Sequence, residues 1–250
     1  MSLPSITTFS GLLSGSLLHW QPVADLENGR IIGMEALLRP ETGTPTSMLS
    51  EIDKTNRWEI FTKWEMERII EDLVRISPIA RSLFVFFNLS PKQCISEWVL
   101  PTLLAFPDFA APVIEITEEA ATEEHLKQLD LMRRKAGALI AIDDFGTGYS
   151  NVDRLLDLPV DFVKIDRKLI QTTSGPDQRL VEGVIRGIRT MDVPLLGEGI
   201  ENEIHARFAR DIGCLTGQGW HFGRPMPIGK LGALLASKGI HSAKWGLEPG

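Results

Sequence analysis

The 250-residue chain has only two cysteines, Cys94 and Cys214, and neither belongs to a C-x-x-C spacing. That argues against a disulfide framework or a thiolate metal site and leaves two free thiols in a reducing compartment. Long hydrophobic runs are missing too. No stretch approaches the roughly 18 apolar residues of a membrane helix. Met1 to Trp20 carries no Lys or Arg ahead of its weakly apolar part, so it does not read as a secretory signal. A soluble, cytoplasmic protein with no membrane segment in this chain is the expectation. Positive charge is in deficit: 26 Lys and Arg face 33 Asp and Glu, a formal net charge of -7. An acidic surface opposes sequence-independent binding of a nucleic-acid polymer, although not a small anionic ligand held through metal ions. Low-complexity linkers and internal repeats are also absent.

What is present is alternation. Leu18 to Leu26 and Ile31 to Leu38 read as strands, and the Asn28-Gly29 between them is a hairpin signal, so this pair runs antiparallel. Strands are then expected at Leu83–Phe87, from Val113-Ile114, and at Leu139–Ile142, Asp161–Ile165, Pro194–Gly197 and Leu215–Phe222. Helices are expected at Arg57–Ile76, with Trp64, Ile69, Leu73 and Ile76 inward, and at Thr122–Ala136, ended by Gly137. Others follow at Asn151–Leu158 and Asp177–Thr190, after Asn202 with Ile204, Phe208 and Ile212 on one face, and at Ile228–Ser237. About eight strands separated mostly by helices, in 250 residues of 43% hydrophobic content, favour an α/β fold. The form expected is a (β/α)8 TIM-like barrel with one antiparallel strand, contributed by the first hairpin. The whole chain, 1–250, reads as one domain with its core at about 15–235.

The strand ends carry the chemistry. Apolar runs lead into Glu35, Asn88, Glu115, Asp143-Asp144, Lys164, Glu198 and Gln218. In a barrel these ends share the face on which active sites are built. Two adjacent Asp residues alone would more often be a helix cap and a solvated side chain. Repeated polar ends at seven strands change that reading. Five carboxylates and an amide oxygen are hard donors that suit Mg2+ or Mn2+ and not zinc. They exceed what one Mg2+ takes, so two ions about 3.5–4 Å apart with a bridging carboxylate fit better. None of the five histidines occupies a strand end; His221 comes nearest and reads as a packing or loop residue.

The blocks Glu35-Ala36-Leu37-Leu38-Arg39, Asn88-Leu89-Ser90, Glu115-Ile116-Thr117-Glu118, Asp143-Asp144-Phe145-Gly146-Thr147-Gly148, Lys164-Ile165-Asp166, Glu198-Gly199-Ile200-Glu201 and Gly217-Gln218-Gly219-Trp220 resemble, in order, those of the EAL domain, the cyclic di-GMP phosphodiesterase. The resemblance implies a first metal on Glu35, Asn88, Glu115 and Asp143, and a second on Asp143, Asp144 and Glu198. Lys164 would stand by the attacking water, as base or electrostatic partner; among so many carboxylates it should keep its charge, which favours the second role. Gln218, Gln21 and Arg39 would contact water or ligand, Arg39 through phosphate oxygens. Glu118, Asp166 and Glu201 would be supporting groups, and the Phe145-to-Ser150 loop would couple the site to a dimer contact. The product would be linear pGpG. The resemblance also implies a homodimer and a fused or partner sensory or GGDEF domain. A non-catalytic receptor for the same ligand and another metal-dependent barrel hydrolase are the competing readings. Agreement is weaker between Pro40 and Asn56.

Overall fold

The structure of the protein, a computed structural model, describes residues 13–77, 79, 82–108, 110–116, 122–146 and 160–238. Strand β1 (Leu17–Asp25) turns back on β2 (Ile31–Arg39), and the two pair antiparallel with Gln21 opposite Glu35. Asp25 makes the turn: its Oδ1 accepts from the backbone N–H groups of Glu27 and Asn28, and Gly29 takes φ 70°. From there the chain alternates. Helices α1 (Pro45–Lys54) and α2 (Trp58–Ile76) lead to β3 (Leu83–Asn88), and the short helices α3 (Pro91–Cys94) and α4 (Val99–Leu104) lead to β4 (Ala110–Ile116). Helix α5 (Glu123–Ala136) and β5 (Leu139–Phe145) follow, then β6 (Phe162–Ile165) with α6 (Arg167–Gln171) and α7 (Pro176–Arg189). β7 (Leu195–Gly197), α8 (Glu203–Asp211), β8 (Thr216–Gln218) and α9 (Ile228–Lys238) complete the described elements.

The strands close a barrel in chain order. Every neighbouring pair from β2 to β8 is parallel, and β1 is antiparallel to both β2 and β8. The expected fold class, including its one reversed strand, is what forms. Side chains alternate across a strand, so each strand sends one set into the barrel and one under the helices. The interior holds Val23, Phe84, Phe86, Val113, Ala141, Phe162 and Leu196. Phe162 meets Phe84 and Phe86 edge-on, with centroids 5.4 and 5.6 Å apart. The outer set, such as Val85, Ile114, Ile140 and Val163, packs under Ile69, Leu73, Leu129 and Ile185. Gly137 ends α5 at φ 63°, and the Asn202 side chain caps α8 by accepting from the His205 N–H.

Several boundaries differ from expectation, each for a physical reason. β2 runs to Arg39, one residue past the expected Leu38, because β1 partners it as far as Leu17 opposite Arg39, so Glu35 lies inside the strand and not at its end. β5 does not end at Ile142; its ladder with β6 breaks between Ile142 and Phe145 and resumes at Phe145 opposite Ile165. The last strand is three residues, not Leu215–Phe222, because Gly219 turns the backbone directly against Ile200. Ile204 is exposed rather than on the buried face of α8, which presents Ala206, Phe208 and Ala209. Helix α1 occupies the region of weak agreement. The helix expected at Asn151–Leu158, the loop beyond Gly146 and Glu118 lie outside the described residues.

Candidate active site

The site is one further step of the same alternation. Two positions along from an interior residue, the next side chain points the same way. Phe86 is followed in this manner by Asn88, Val113 by Glu115, Ala141 by Asp143, Phe162 by Lys164 and Leu196 by Glu198. Gly33 and Thr216 are likewise followed by Glu35 and Gln218, and on the reversed β1 Gln21 precedes Val23 by two. A polar layer therefore lies directly on the apolar filling at the C-terminal end of the parallel strands.

Lys164 stands at its centre, 1% exposed, with Nζ 2.6 Å from Glu115, 2.9 Å from Glu198, 3.0 Å from Asp143 and 3.6 Å from Glu35. Asn88 Nδ2 donates to Glu115 at 3.0 Å. Gln218 Nε2 donates to Glu35 and to Gln21 Oε1, while Gln21 Nε2 donates to the Gly223 carbonyl. Asp144 joins by a different route. Adjacent strand residues face opposite sides, but Asp144 takes φ 52° in the break of the β5–β6 ladder, a left-handed conformation that Asp tolerates. Its carboxylate then shares a space with those of Asp143 and Glu198, one oxygen from each lying within 4.8 Å of the others.

Charge does not balance in this layer. Five carboxylates face one ammonium, so four negative charges are left over when all are ionised. Burial, the Glu35 charge and the Asp143 charge push Glu115 well above the usual carboxylate range against the opposing pull of Lys164. Burial likewise pushes Glu198 up to about 8 against the opposing pull of Lys164, with Asp143 and Glu35 adding to the rise. For Lys164, burial opposes the charge, but Asp143, Glu115, Glu198 and Glu35 together raise it well above the ordinary lysine range, so it stays an ammonium. The layer thus calls for more positive charge, offers hard oxygen donors, and contains two buried oxygens without a hydrogen-bond partner: Gln218 Oε1, and Glu115 Oε1, which is ion-paired with Lys164. The residues present fit divalent cations of the Mg2+ class.

Two cavities border the layer. One, of about 540 Å3, is lined by Gln21, Glu35, Asp144, Glu198, Gln218 and Trp220, with Asp166 and Glu201 also on its wall. The other, of about 550 Å3, contains Asn88 and Arg39. Arg39 is therefore apart from the second set of carboxylates, and its Nη1 donates to the Leu38 carbonyl at 2.8 Å. Asp166 caps α6, its Oδ1 accepting from Lys168 N at 2.8 Å. Sequence reasoning missed Arg167 and Lys168, which line the first cavity; their only signal was their place directly after Lys164-Ile165-Asp166. It also missed Glu65, buried in the second cavity wall with Gln93 Nε2 2.7 Å away. Cys94 and Cys214 are buried away from the layer, and burial pushes each thiol up to about 12.

The EAL domain family profile matches residues 13–225. The bifunctional diguanylate cyclase/cyclic di-GMP phosphodiesterase MucR of Pseudomonas aeruginosa is 31% identical over 235 residues, covering 88% of this chain and 34% of MucR. The solved PaMucR phosphodiesterase in complex with c-di-GMP superposes with a TM-score of 0.77 at 29% identity, over 90% of this chain and 98% of that one. A manganese/cy-diGMP complex of Klebsiella pneumoniae BlrP1 superposes with a TM-score of 0.72 at 26% identity, over 84% of this chain and 56% of that one. This chain spans about a third of the length of the first curated relatives it matches. On the match over 13–225 and the barrel with its polar layer, the chain belongs to the EAL domain family.

Proposed function

We propose that this chain is a divalent-metal-dependent phosphodiesterase that hydrolyses cyclic di-GMP to linear pGpG. The observation that carries the reading is the polar layer: five carboxylates, Asn88 and Gln218 converging around one buried lysine, with burial and acidic neighbours pushing Glu115 and Glu198 above the usual carboxylate range. MucR, which carries this activity in its name, and the c-di-GMP complex of its phosphodiesterase support the choice of substrate.

Glu35, Asn88, Glu115 and Asp143 would hold one Mg2+ or Mn2+, and Asp143, Asp144 and Glu198 a second. Such ions, when bound, supply charge that activates water and stabilises the leaving oxygen of an in-line displacement. The chain's own groups do the rest. Lys164, held as an ammonium by its carboxylate neighbours, orients the attacking water and offsets charge on the phosphoryl oxygens; it is too strongly held in the charged form to act as the base. Gln218, anchored through Nε2 to Glu35 and Gln21, has Oε1 available to accept a proton-bearing partner such as that water. Asp143, in contact with Lys164 and shared between both donor sets, ties the two halves together.

The reading includes one EAL-type unit over residues 1–250 with its core at about 15–235, a homodimer, and a sensory or GGDEF domain fused or in partnership. Incubation of purified protein with cyclic di-GMP and Mg2+ or Mn2+, followed by chromatography, is expected to yield pGpG. No turnover with either metal in dimeric protein would overturn the catalytic reading, and tight binding without turnover would identify a receptor instead.

A further inference from the structure

Helix α6 is five residues long, yet it bears on both of the segments that carry Asp144 and Glu198. Three glycines admit it. A Cβ at Gly146, two residues after Asp144, would lie 2.3 Å from Leu169 Cδ1. One at Gly199, directly after Glu198, would lie 2.2 Å from Arg167 Cβ, and one at Gly197, directly before it, 3.2 Å from Ile170 Cδ1. Hydrogen bonds fasten the same contacts. Gln171 Nε2 donates to the Gly199 carbonyl at 3.0 Å. Just ahead of the helix, Asp166 N donates to Phe145 O at 3.2 Å, and Glu198 N donates to Ile165 O at 3.0 Å. Ile170 is fully buried and Leu169 packs against the outer core, so the helix has a firm seat.

The two donor sets differ in what holds them. Glu35, Asn88 and Glu115 lie in paired stretches of the sheet: Glu35 is opposite Gln21 and Phe86, and Asn88 is opposite Glu115. Asp144 lies in the break of the β5–β6 ladder, and Glu198 lies beyond the last residue of β7. Like charges this close repel, and the sheet leaves these two freer to separate. We infer that α6 is the spacer that sets the separation of Asp144 and Glu198, with Leu169 and Gln171 as positioning residues for the cation those carboxylates would hold. This rests on the function proposed above. Neither side chain need touch the ion. Leu169 fixes the turn behind Asp144, and Gln171 fixes the carbonyl behind Glu198. Supporting groups of this kind change metal affinity by about 10- to 100-fold.

Calorimetric titration of the metal-free protein with Mn2+ tests this, with product assays alongside. Wild type is expected to bind two ions, and Asp144→Asn identifies the step that belongs to Asp144 and Glu198. Leu169→Ala should weaken that step about tenfold or more and leave the other within about twofold. Leu169→Met, which restores the bulk, should return it to within about threefold of wild type. Gln171→Met, which keeps the length but not the donor, should weaken the same step about threefold or more. The Mn2+ concentration for half-maximal turnover should rise by the same factors. Leu126→Ala, at a partly buried leucine of α5, controls for loss of stability alone and should shift neither step. An unchanged step in Leu169→Ala or Gln171→Met, equal weakening of both steps, or the same shift in Leu126→Ala would overturn the inference, while conversion of cyclic di-GMP to pGpG by wild type leaves the proposed function standing. A wild type that binds a single ion or none overturns the two-ion reading and this inference together. Should Leu169→Ala fail to fold, Gln171→Met decides, because Gln171 is exposed.

Discussion

Lys164 holds together a layer that would otherwise repel itself, and two consequences follow from replacing it with methionine, which keeps the stem and removes the charge. Without metal, Glu115 loses the counter-charge 2.6 Å away while remaining fully buried. Breaking a buried pair in this way costs about 3–5 kcal/mol, so Lys164→Met should melt roughly 10 °C below wild type in EDTA, and added Mg2+ should recover much of the difference. With metal present, turnover should still fall by about 10²–10³-fold, the loss typical of one preorganised electrostatic contact. Thermal melts with and without EDTA, beside product assays, separate the two effects; an equal melt in EDTA would mean that protonation of Glu115, and not Lys164, relieves the layer. Asp143→Asn is a different case. It keeps the side-chain shape, and the residue it replaces touches Lys164 at 3.0 Å, shares a carboxylate cluster with Asp144 and Glu198, and is proposed above to serve both ions. Turnover is expected below about 1% of wild type with the fold intact, and retained activity would contradict the shared role.

At the scale of elements, helix α2 carries an acid that its sequence pattern does not explain. Glu65 is buried and accepts from Gln93 Nε2, while Gln93 Oε1 accepts from Ser90 N at the start of α3, two residues after Asn88. Burial pushes the Glu65 carboxyl up to about 7, against the opposing hydrogen bond from Gln93. A carboxyl raised from 4.5 to about 7 binds more protons folded than unfolded, so its contribution is complete below about pH 4.5 and is lost as pH climbs to about 7. The loss is at most about 3 kcal/mol. Glu65→Gln keeps a carbonyl oxygen for Gln93 and removes the titration. Chemical denaturation from pH 5 to pH 8 should show a flatter stability profile for the variant and a gain over wild type at pH 8; parallel profiles would mean that Glu65 titrates normally. The same region shows where sequence reading stops. Helix α1 is capped by Thr44 with Ser47 as the reciprocal partner, in place of the Glu or Gln that signals a capping box, and only Met48 and Ile52 are buried. Helices α3, α4 and α6 are four to six residues long, too short for a periodic signal. The positive φ of Asp144 leaves no mark in the sequence either, because Asp is accepted in both conformations.

At the scale of the whole molecule, the barrel was legible because one physical rule generates both its core and its site. A side chain two places beyond Val113, Ala141, Phe162 or Leu196 must point into the barrel, so an apolar run that turns polar there marks the edge of the filling. What the sequence could not supply was the height at which the donors meet, since strand lengths depend on pairing partners, as the extension of β5 through its irregular segment to Phe145 shows. The candidate donors Glu35, Asn88, Glu115, Asp143, Asp144 and Glu198 come from five different strands or strand ends, and only the closed barrel assembles them. An ion bound by this set binds the folded state and not the unfolded chain, so it must stabilise the protein by mass action. At a free Mn2+ concentration about 100 times its Kd the gain is about 2.7 kcal/mol, or roughly 5–10 °C in Tm for a chain of this size. Sodium chloride at the same ionic strength should not reproduce it. The gain should also depend on pH with a definite sign. Glu198, pushed up to about 8 by burial and by its acidic neighbours, and Glu115, raised by burial and by Glu35, must give up protons to bind a cation. Metal affinity therefore rises with pH, and a fixed Mn2+ concentration should shift Tm more at pH 8.5 than at pH 6. Scanning fluorimetry with Mn2+ and with EDTA at both pH values measures this directly, and an equal shift at both would mean that the carboxylates of the layer are already ionised before the metal arrives.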